Sequence, residues 1–102
     1  MLTRLELHEE LCEILGSRHV YFQPPASVKM SYPAIVYSLN VVDNRIADND
    51  IYGQYLQYML TLIDEDPDSE VLERLRRYRR GRFVRSYVAE NLNHYVFTIY
   101  NT

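Results

Sequence analysis

The sequence has almost no cysteine, and it has no apolar run long enough to cross a membrane. Its one cysteine, Cys12, excludes an internal disulfide, and its apolar surroundings favour a small buried side chain over a nucleophile. The N-terminus MLTRLELHEE carries a charge every few positions instead of the apolar region of a signal peptide. We therefore expect a protein that is made and used in a reducing cytoplasm, with no membrane partner.

Glycine is also scarce. The chain has three glycines and they do not cluster, which excludes a glycine-rich phosphate-binding loop. The histidines, His8, His19 and His94, lack the spacing of metal ligands, and no Ser, His and Asp form a nucleophile motif. We therefore expect no catalytic residue, no metal, no cofactor and no enzymatic activity.

Tryptophan is absent, whereas tyrosine occurs ten times. Tyrosine suits both the half-buried strands of a monomer and the interfaces of an assembly, so both interpretations stay open. There is no basic excess either, because the formal net charge is −3, which argues against a protein whose main role is to hold nucleic acid. The length of 102 residues predicts a single domain, 1–102.

Two segments have the pattern of amphipathic helices. Residues 3–15 begin with Thr3 and Glu6 in the spacing of a capping box, and Gly16 follows as a stop signal. A second helix is predicted from Asp66, as its cap, to about Arg79, with Gly81 ending it. The predicted apolar stripes are Leu5, Leu11, Cys12 and Leu15 in the first helix, and Val71, Leu72, Leu75 and Tyr78 in the second.

Five segments have the composition of strands, namely 20–23, 34–42, 54–63, 82–88 and 94–100. Residues 43–53 predict a long polar loop, and residues 89–93 predict a hairpin connection. The order α-β-β-β-α-β-β predicts an α+β domain with an antiparallel or mixed sheet and both helices packed on one face. The other face would then be open, and alternate tyrosines would make it a docking surface.

Two charged clusters flank the second predicted helix. The arginine-rich run RLRRYRRGR is denser than a helix dipole needs, so it indicates a partner contact, a nucleic-acid contact or only a solvated helix end. The acidic run DEDPDSE lacks calcium-site spacing, and helix capping explains it more simply. If copies packed head to tail in a ring, the acidic end of one copy could meet the arginines of the next. The candidate contact residues are Arg76, Arg77, Arg79 and Arg80 on one side and Asp64 and Asp66 on the other.

The corner AENLNH before the last strand is unusual. Asn91 and Asn93 can bond their own backbone and tolerate left-handed geometry, so a hairpin is the favoured interpretation, with His94 fixing the turn or touching a neighbour. The alternative is a small nucleic-acid-binding or RNA-cleaving domain that uses the arginine-rich helix end. In that alternative, the acid–base set would be His94, Tyr87, Glu90 and Arg85.

Several segments, taken in order, resemble a family of small proteins from the neck of long-tailed bacteriophages, the tail-completion or head–tail joining proteins. The resemblance covers most of residues 20–100, although this chain has YRRGR where the family pattern has a neutral stretch before the last hairpin. The segments are VYFQPP at 20–25, M-x-YPAIVY at 30–37, A-D-N-x-x-Y ending at Tyr52, IDEDPDS at 63–69 and AENLNHYVFTIY at 89–100.

The resemblance implies a structural virion protein, assembled in the host cytoplasm, that forms a ring at the top of the tail tube. The ring, expected to be a hexamer, would terminate the tube and meet the head-completion or connector protein. DNA would pass through its lumen without specific binding. The resemblance brings no catalytic residues, and the polar loop 43–53, with Tyr52 as a candidate contact residue, could reach neighbouring subunits.

Overall fold

In the part of the chain that the structure describes, two helices and one mixed five-stranded sheet follow the predicted order α-β-β-β-α-β-β. The computed structural model describes residues 2–47 and 50–101. The strands lie in the order β1-β2-β3-β5-β4, with β1 and β2 parallel and the other neighbours antiparallel. The elements are α1 (Arg4–Leu15), β1 (Val20–Phe22), β2 (Ala34–Ala47), β3 (Asp50–Asp64), α2 (Glu70–Arg76), β4 (Gly81–Ala89) and β5 (Leu92–Asn101).

Helix α1 begins and ends as predicted. Thr3 and Glu6 form the full capping box, and Gly16 closes the helix with a left-handed φ of 84°. The predicted apolar stripe is wrong at Leu5, whose side chain is 66% exposed, whereas Leu7 is fully buried. Side chains two positions apart on a helix are separated by more than half a turn, so the side chain of Leu5 lies almost opposite that of Leu7 and faces solvent.

Helix α2 is shorter than predicted. Its cap is Ser69, which accepts a hydrogen bond from the Leu72 amide, and its last residue is Arg76. The predicted cap, Asp66, instead accepts from the Asp68 amide and makes a turn before the helix. Gly81 does not end the helix, because it is the first residue of β4. The predicted stripe is confirmed: Val71 and Leu75 are buried, and Leu72 and Tyr78 pack against the core.

The predicted loop 43–53 is wrong, because β2 continues to Ala47 and β3 begins at Asp50. Within the described residues, β5 pairs with β3 only from Leu56 onward, so the outer part of the β2–β3 hairpin is a two-stranded arm. Hydrogen bonds between the two strands satisfy the backbone polar groups of such an arm, so no further layer has to cover it. Its composition can therefore be as polar as that of a loop. Tyr52 lies in β3, and its side chain is outside the described part of the chain.

A single core lies between the helices and one face of the sheet, which confirms that both helices pack on one side. Alternate residues of the central strands, such as Ile35, Leu60 and Phe97, are at most 1% exposed. Burying each large apolar side chain contributes about 1.5–3 kcal/mol. The core consists of Leu7, Leu11, Cys12, Leu15, Val20, Ile35, Tyr37, Tyr58, Leu60, Leu62, Val71, Leu75, Tyr95, Phe97 and Ile99.

The opposite face of the sheet carries the intervening residues, and neither helix covers it. One row across this face runs from Val36 through Thr61 and Val96 to Arg85, as the strand register places them side by side. Val96 is 6% exposed at the centre of the sheet, whereas Arg85 at its margin is exposed. The sheet therefore presents an open surface with an arginine border.

Tyr37 joins α1 to the sheet with a polar contact inside the core. Its ring is fully buried, and its hydroxyl lies 2.7 Å from Nδ1 of His8 and 3.3 Å from Nη1 of Arg4. Burial raises the pKa of the Tyr37 hydroxyl. Burial also lowers the pKa of His8 below its ordinary 6.5, and the charges of Arg4 and Arg18 add to this effect.

We expect the stability of the protein to fall as the pH drops through 6.5, and His8→Gln to reduce that fall. Below pH 6.5 the unfolded chain binds a proton at His8 before the folded chain does, so protonation favours unfolding. The measurement is urea unfolding of both proteins from about pH 7.5 to about pH 5.5. Parallel stability curves for the two proteins would contradict a depressed His8 pKa.

Candidate partner-binding surfaces

The acidic run forms a tight turn between β3 and α2. Asp64 is 8% exposed and accepts a hydrogen bond of 3.0 Å from the Asp66 amide, and Asp66 accepts one of 2.9 Å from the Asp68 amide. These carboxylates thus shape the backbone before the helix, while Glu65 and Asp68 point to solvent. Burial raises the pKa of the nearby Tyr95 hydroxyl, and the negative charge of the turn adds to the shift.

Asn93 binds this acidic turn to the β4–β5 hairpin. Its side-chain amide donates to the carbonyl of Asp64 at 3.2 Å and to that of Glu65 at 3.4 Å. The predicted site residues Asp64, Asp66, Asn91 and Asn93 are therefore gathered at one end of the sheet. The bonds of Asn93 are internal, so they hold this end of the molecule together.

The β4–β5 connection is a two-residue turn and not the predicted five-residue one. Ala89 pairs with Leu92, and the residues between them, Glu90 and Asn91, have φ of 53° and 64°. Two consecutive left-handed residues match the strand twist of a tight hairpin. The structure confirms that Asn91 adopts left-handed geometry, as the sequence predicts, and Glu90 shares it.

His94 lies beside the turn on the open face of the sheet. Its Nδ1 is 3.1 Å from the carbonyl of Leu92, an acceptor, so Nδ1 carries a proton. Its ring stacks on Tyr87 with centroids 4.7 Å apart and planes 9° from parallel, and the Arg85 guanidinium lies 5.5 Å from the Tyr87 ring. Of the residues in the alternative acid–base set, His94, Tyr87 and Arg85 therefore lie against one another, whereas Glu90 lies in the turn.

The arginines at the end of α2 have different roles. Arg74 donates to the carbonyls of Ile14 and Leu15 and so caps α1. Arg76 pairs with Glu73 on its own helix at 3.0 Å, an exposed pair of the kind that contributes under about 1 kcal/mol. Arg74 was part of the predicted basic cluster, but its contacts are internal.

Arg80 is largely enclosed, with 13% of its side chain exposed and its Nε 3.8 Å from Glu10 Oε1. The same carboxylate accepts a hydrogen bond of 2.6 Å from the Tyr78 hydroxyl. Burial and this contact raise the pKa of Tyr78. Arg77 and Arg79, by contrast, have exposed side chains and so are available to a partner.

A cleft of about 590 Å³ lies at the start of β4, and its lining is strongly basic. The seven residues of α2 separate this arginine end from the acidic turn by about 10 Å of helix. The chain thus carries charges of opposite sign at the two ends of one short helix. The lining residues are Arg79, Arg80, Arg82 and Tyr100.

Strand β4 is an exposed edge of the sheet, a feature that the sequence analysis did not single out. Phe83 is 52% exposed, Val84 50% and Val88 70%, although each has the apolar character of a core residue. The sequence carries one signal of this exposure, because arginines are interleaved with the apolar residues of this segment. Strands that are buried on both faces rarely have this pattern. Between β4 and α2 lies a groove of about 310 Å³, lined by Leu72, Arg76, Phe83, Ser86 and Tyr95.

Residues 2–47 and 50–101 form neither a cluster of metal ligands nor a membrane-spanning helix. No group of three or more His, Cys, Asp or Glu side chains gathers there as a metal site would require. None of the helices in this part of the chain combines the length and the apolar character needed to cross a membrane.

The sequence was compared with models of known protein families and with curated proteins, and neither comparison gave a match. The expectation of a phage neck protein therefore rests on the ordered segments quoted above alone. In the structure four of these segments correspond to β1 and the residues after it, the start of β2, the acidic turn, and the β4–β5 hairpin, whereas the segment that ends at Tyr52 includes residues 48 and 49, which lie outside the described residues.

Replacing Glu90 by Asn and Asn91 by Gly is expected to stabilise the protein by about 0.5–1 kcal/mol. The two left-handed positions would then hold the residues that tolerate this geometry best. Thermal unfolding of this double variant is compared with that of Glu65→Asn, which removes the same charge from an exposed position outside the left-handed region. An unchanged or lower stability in the double variant would show that Glu90 has a stabilising role.

Proposed function

We propose that this chain is a structural subunit of the neck of a long-tailed bacteriophage. It assembles head to tail into a ring, expected to be a hexamer, that terminates the tail tube and meets the head connector. The observation that carries the proposal is the pair of oppositely charged ends on one helix, taken with the ordered segments that resemble neck proteins. No enzymatic activity and no cofactor are part of this function.

A ring requires two different, complementary patches on each subunit. The acidic turn offers Glu65 and Asp68, whose side chains are exposed, and the arginine end offers Arg77 and Arg79. Asp64 and Arg80 are largely enclosed and support these patches from within, whereas the exposed Asp66 is engaged by the Asp68 amide. We therefore assign the contact between subunits to the exposed members of each patch.

The position of the patches also favours a repeating assembly over a closed pair. They lie at opposite ends of α2, so one copy can offer its acidic turn to a second copy and its arginines to a third. The two-stranded arm formed by β2 and β3 projects beyond the last described residue of β5, at the arginine end of the sheet. It gives each subunit a reach toward its neighbour or toward the tube and connector proteins.

Reversing the charge of Arg77 and Arg79 to Glu is expected to weaken ring assembly roughly tenfold, because like charges then face each other between subunits. Reversing Glu65 and Asp68 to Lys is expected to do the same. Mixing the two variants should restore assembly, since each altered patch then meets its complement. Analytical ultracentrifugation over a range of protein concentrations measures the effect.

The matched control for these variants is Lys29→Glu with Arg18→Glu, which also reverses two charges at exposed positions but lies outside both patches. It should leave assembly unchanged. Failure of the two reversed variants to restore each other, or equal weakening in the control, would place the subunit contact elsewhere.

Phage particles made without this gene are expected to consist of full heads beside separate or overlong tails. The physical reason is that an unterminated tube has no surface to stop its polymerisation or to receive the connector. Negative-stain electron microscopy of the lysate is the measurement, and supplying the gene in trans is the control. Normal infectious particles in the deleted lysate would contradict the neck function.

A further inference from the structure

The β4 edge has the features of a binding site for another polypeptide. It is the outermost strand of the sheet, it is nine residues long, and most of its side chains are exposed. An edge strand presents unpaired backbone N–H and C=O groups that can pair with an added strand. Its partner in the sheet, β5, satisfies only one side of β4.

The two faces of this edge differ in chemistry. On the open face of the sheet lie Arg82 and Arg85, which pair with Thr98 and Val96 of β5. On the helix face lies Phe83, which pairs with Phe97 and meets its ring at 5.4 Å. One face of the edge is therefore basic and the other is apolar.

Each face also has a cavity beside the strand. The arginine-lined cleft of about 590 Å³ includes Arg82 and lies at the start of β4. The groove of about 310 Å³ between β4 and α2 is bounded by Leu72, Phe83 and Tyr95 on the apolar side. A strand added to β4 would point successive side chains alternately toward these two environments.

We propose that the β4 edge binds an extended segment of another protein in which acidic and apolar residues alternate. The acidic side chains pair with Arg82 and Arg85, and the apolar ones enter the groove beside Phe83. The backbone of the segment adds a sixth strand to the five-stranded sheet. This inference goes beyond the neck function and does not depend on it.

The observations favour this occupant over a second copy of the chain. Arg85 is the central residue of β4, so antiparallel pairing of two copies about that centre would place Arg85 opposite its own counterpart. Like charges directly opposite each other in a sheet are destabilising. A nucleic acid is also disfavoured, because its backbone has no N–H groups to pair with the carbonyls of the edge and because the net charge of the chain is −3.

The test uses a fluorescently labelled peptide of nine alternating Glu and Val residues, matched to the length of β4. Its control has the same composition with all Glu residues before all Val residues. Fluorescence anisotropy should show binding of the alternating peptide at least tenfold tighter than that of the control, because only alternation serves both faces. Hydrogen exchange of the protein amides should slow in β4 when the alternating peptide is bound.

The test variant is Arg82→Glu with Arg85→Glu, and the matched control is Lys29→Glu with Arg18→Glu, which changes the net charge equally at exposed positions outside the edge and outside both charged patches. We expect at least a tenfold loss of affinity in the test variant and none in the control. Phe83→Ser tests the apolar side separately and should also weaken binding. Circular dichroism confirms that each variant is folded.

Four results would overturn the proposal. They are equal binding of the two peptides, equal loss in the test and control variants, displacement of the peptide by a single-stranded oligonucleotide, and protection of β4 by self-association in the absence of peptide. The last result would assign the edge to a second copy of the chain. The first three results do not bear on the charge-reversal experiments, so they leave the neck function to stand or fall separately.

Discussion

The packing of both helices on the same face of the sheet is the constraint on which the other features depend. It creates one core, in which Leu7 and Leu75 of the helices meet strand residues such as Leu60. Arg74 strengthens the layer by donating from α2 to the last carbonyls of α1. Because two short helices can cover only one side, the other sheet face and the β4 edge are left to solvent or to partners.

Much of the architecture could be predicted from local signals. The capping box at Thr3, the stop at Gly16 and the α-β-β-β-α-β-β order each have a direct physical basis, and all three are confirmed. The errors arose where a tertiary arrangement overrode composition. Ser69 caps α2 because Asp66 makes its own turn, and the polar segment 43–53 pairs across a hairpin arm.

The candidate surfaces could be predicted less completely, because side chains of one type divide between different roles. The arginines of one short run have four different roles: capping α1, pairing with Glu73, packing beside Glu10 and facing solvent. Only the fold determines which arginine has which role. The β4 edge was missed for a related reason. Phe83 and Val88 have the composition of a buried strand, and their exposure follows from the sheet order, which depends on long-range pairing.

One irregularity in β4 has a further consequence. The register between β4 and β5 shifts between Phe83 and Arg85, so one extra residue is inserted at that point. Such a bulge bends a strand and interrupts its regular spacing of donors and acceptors. Such a bulge disfavours the pairing of a flat strand along the full length of β4, which protects the edge against non-specific association, and the segment that we propose binds there must follow the curvature of the bulge.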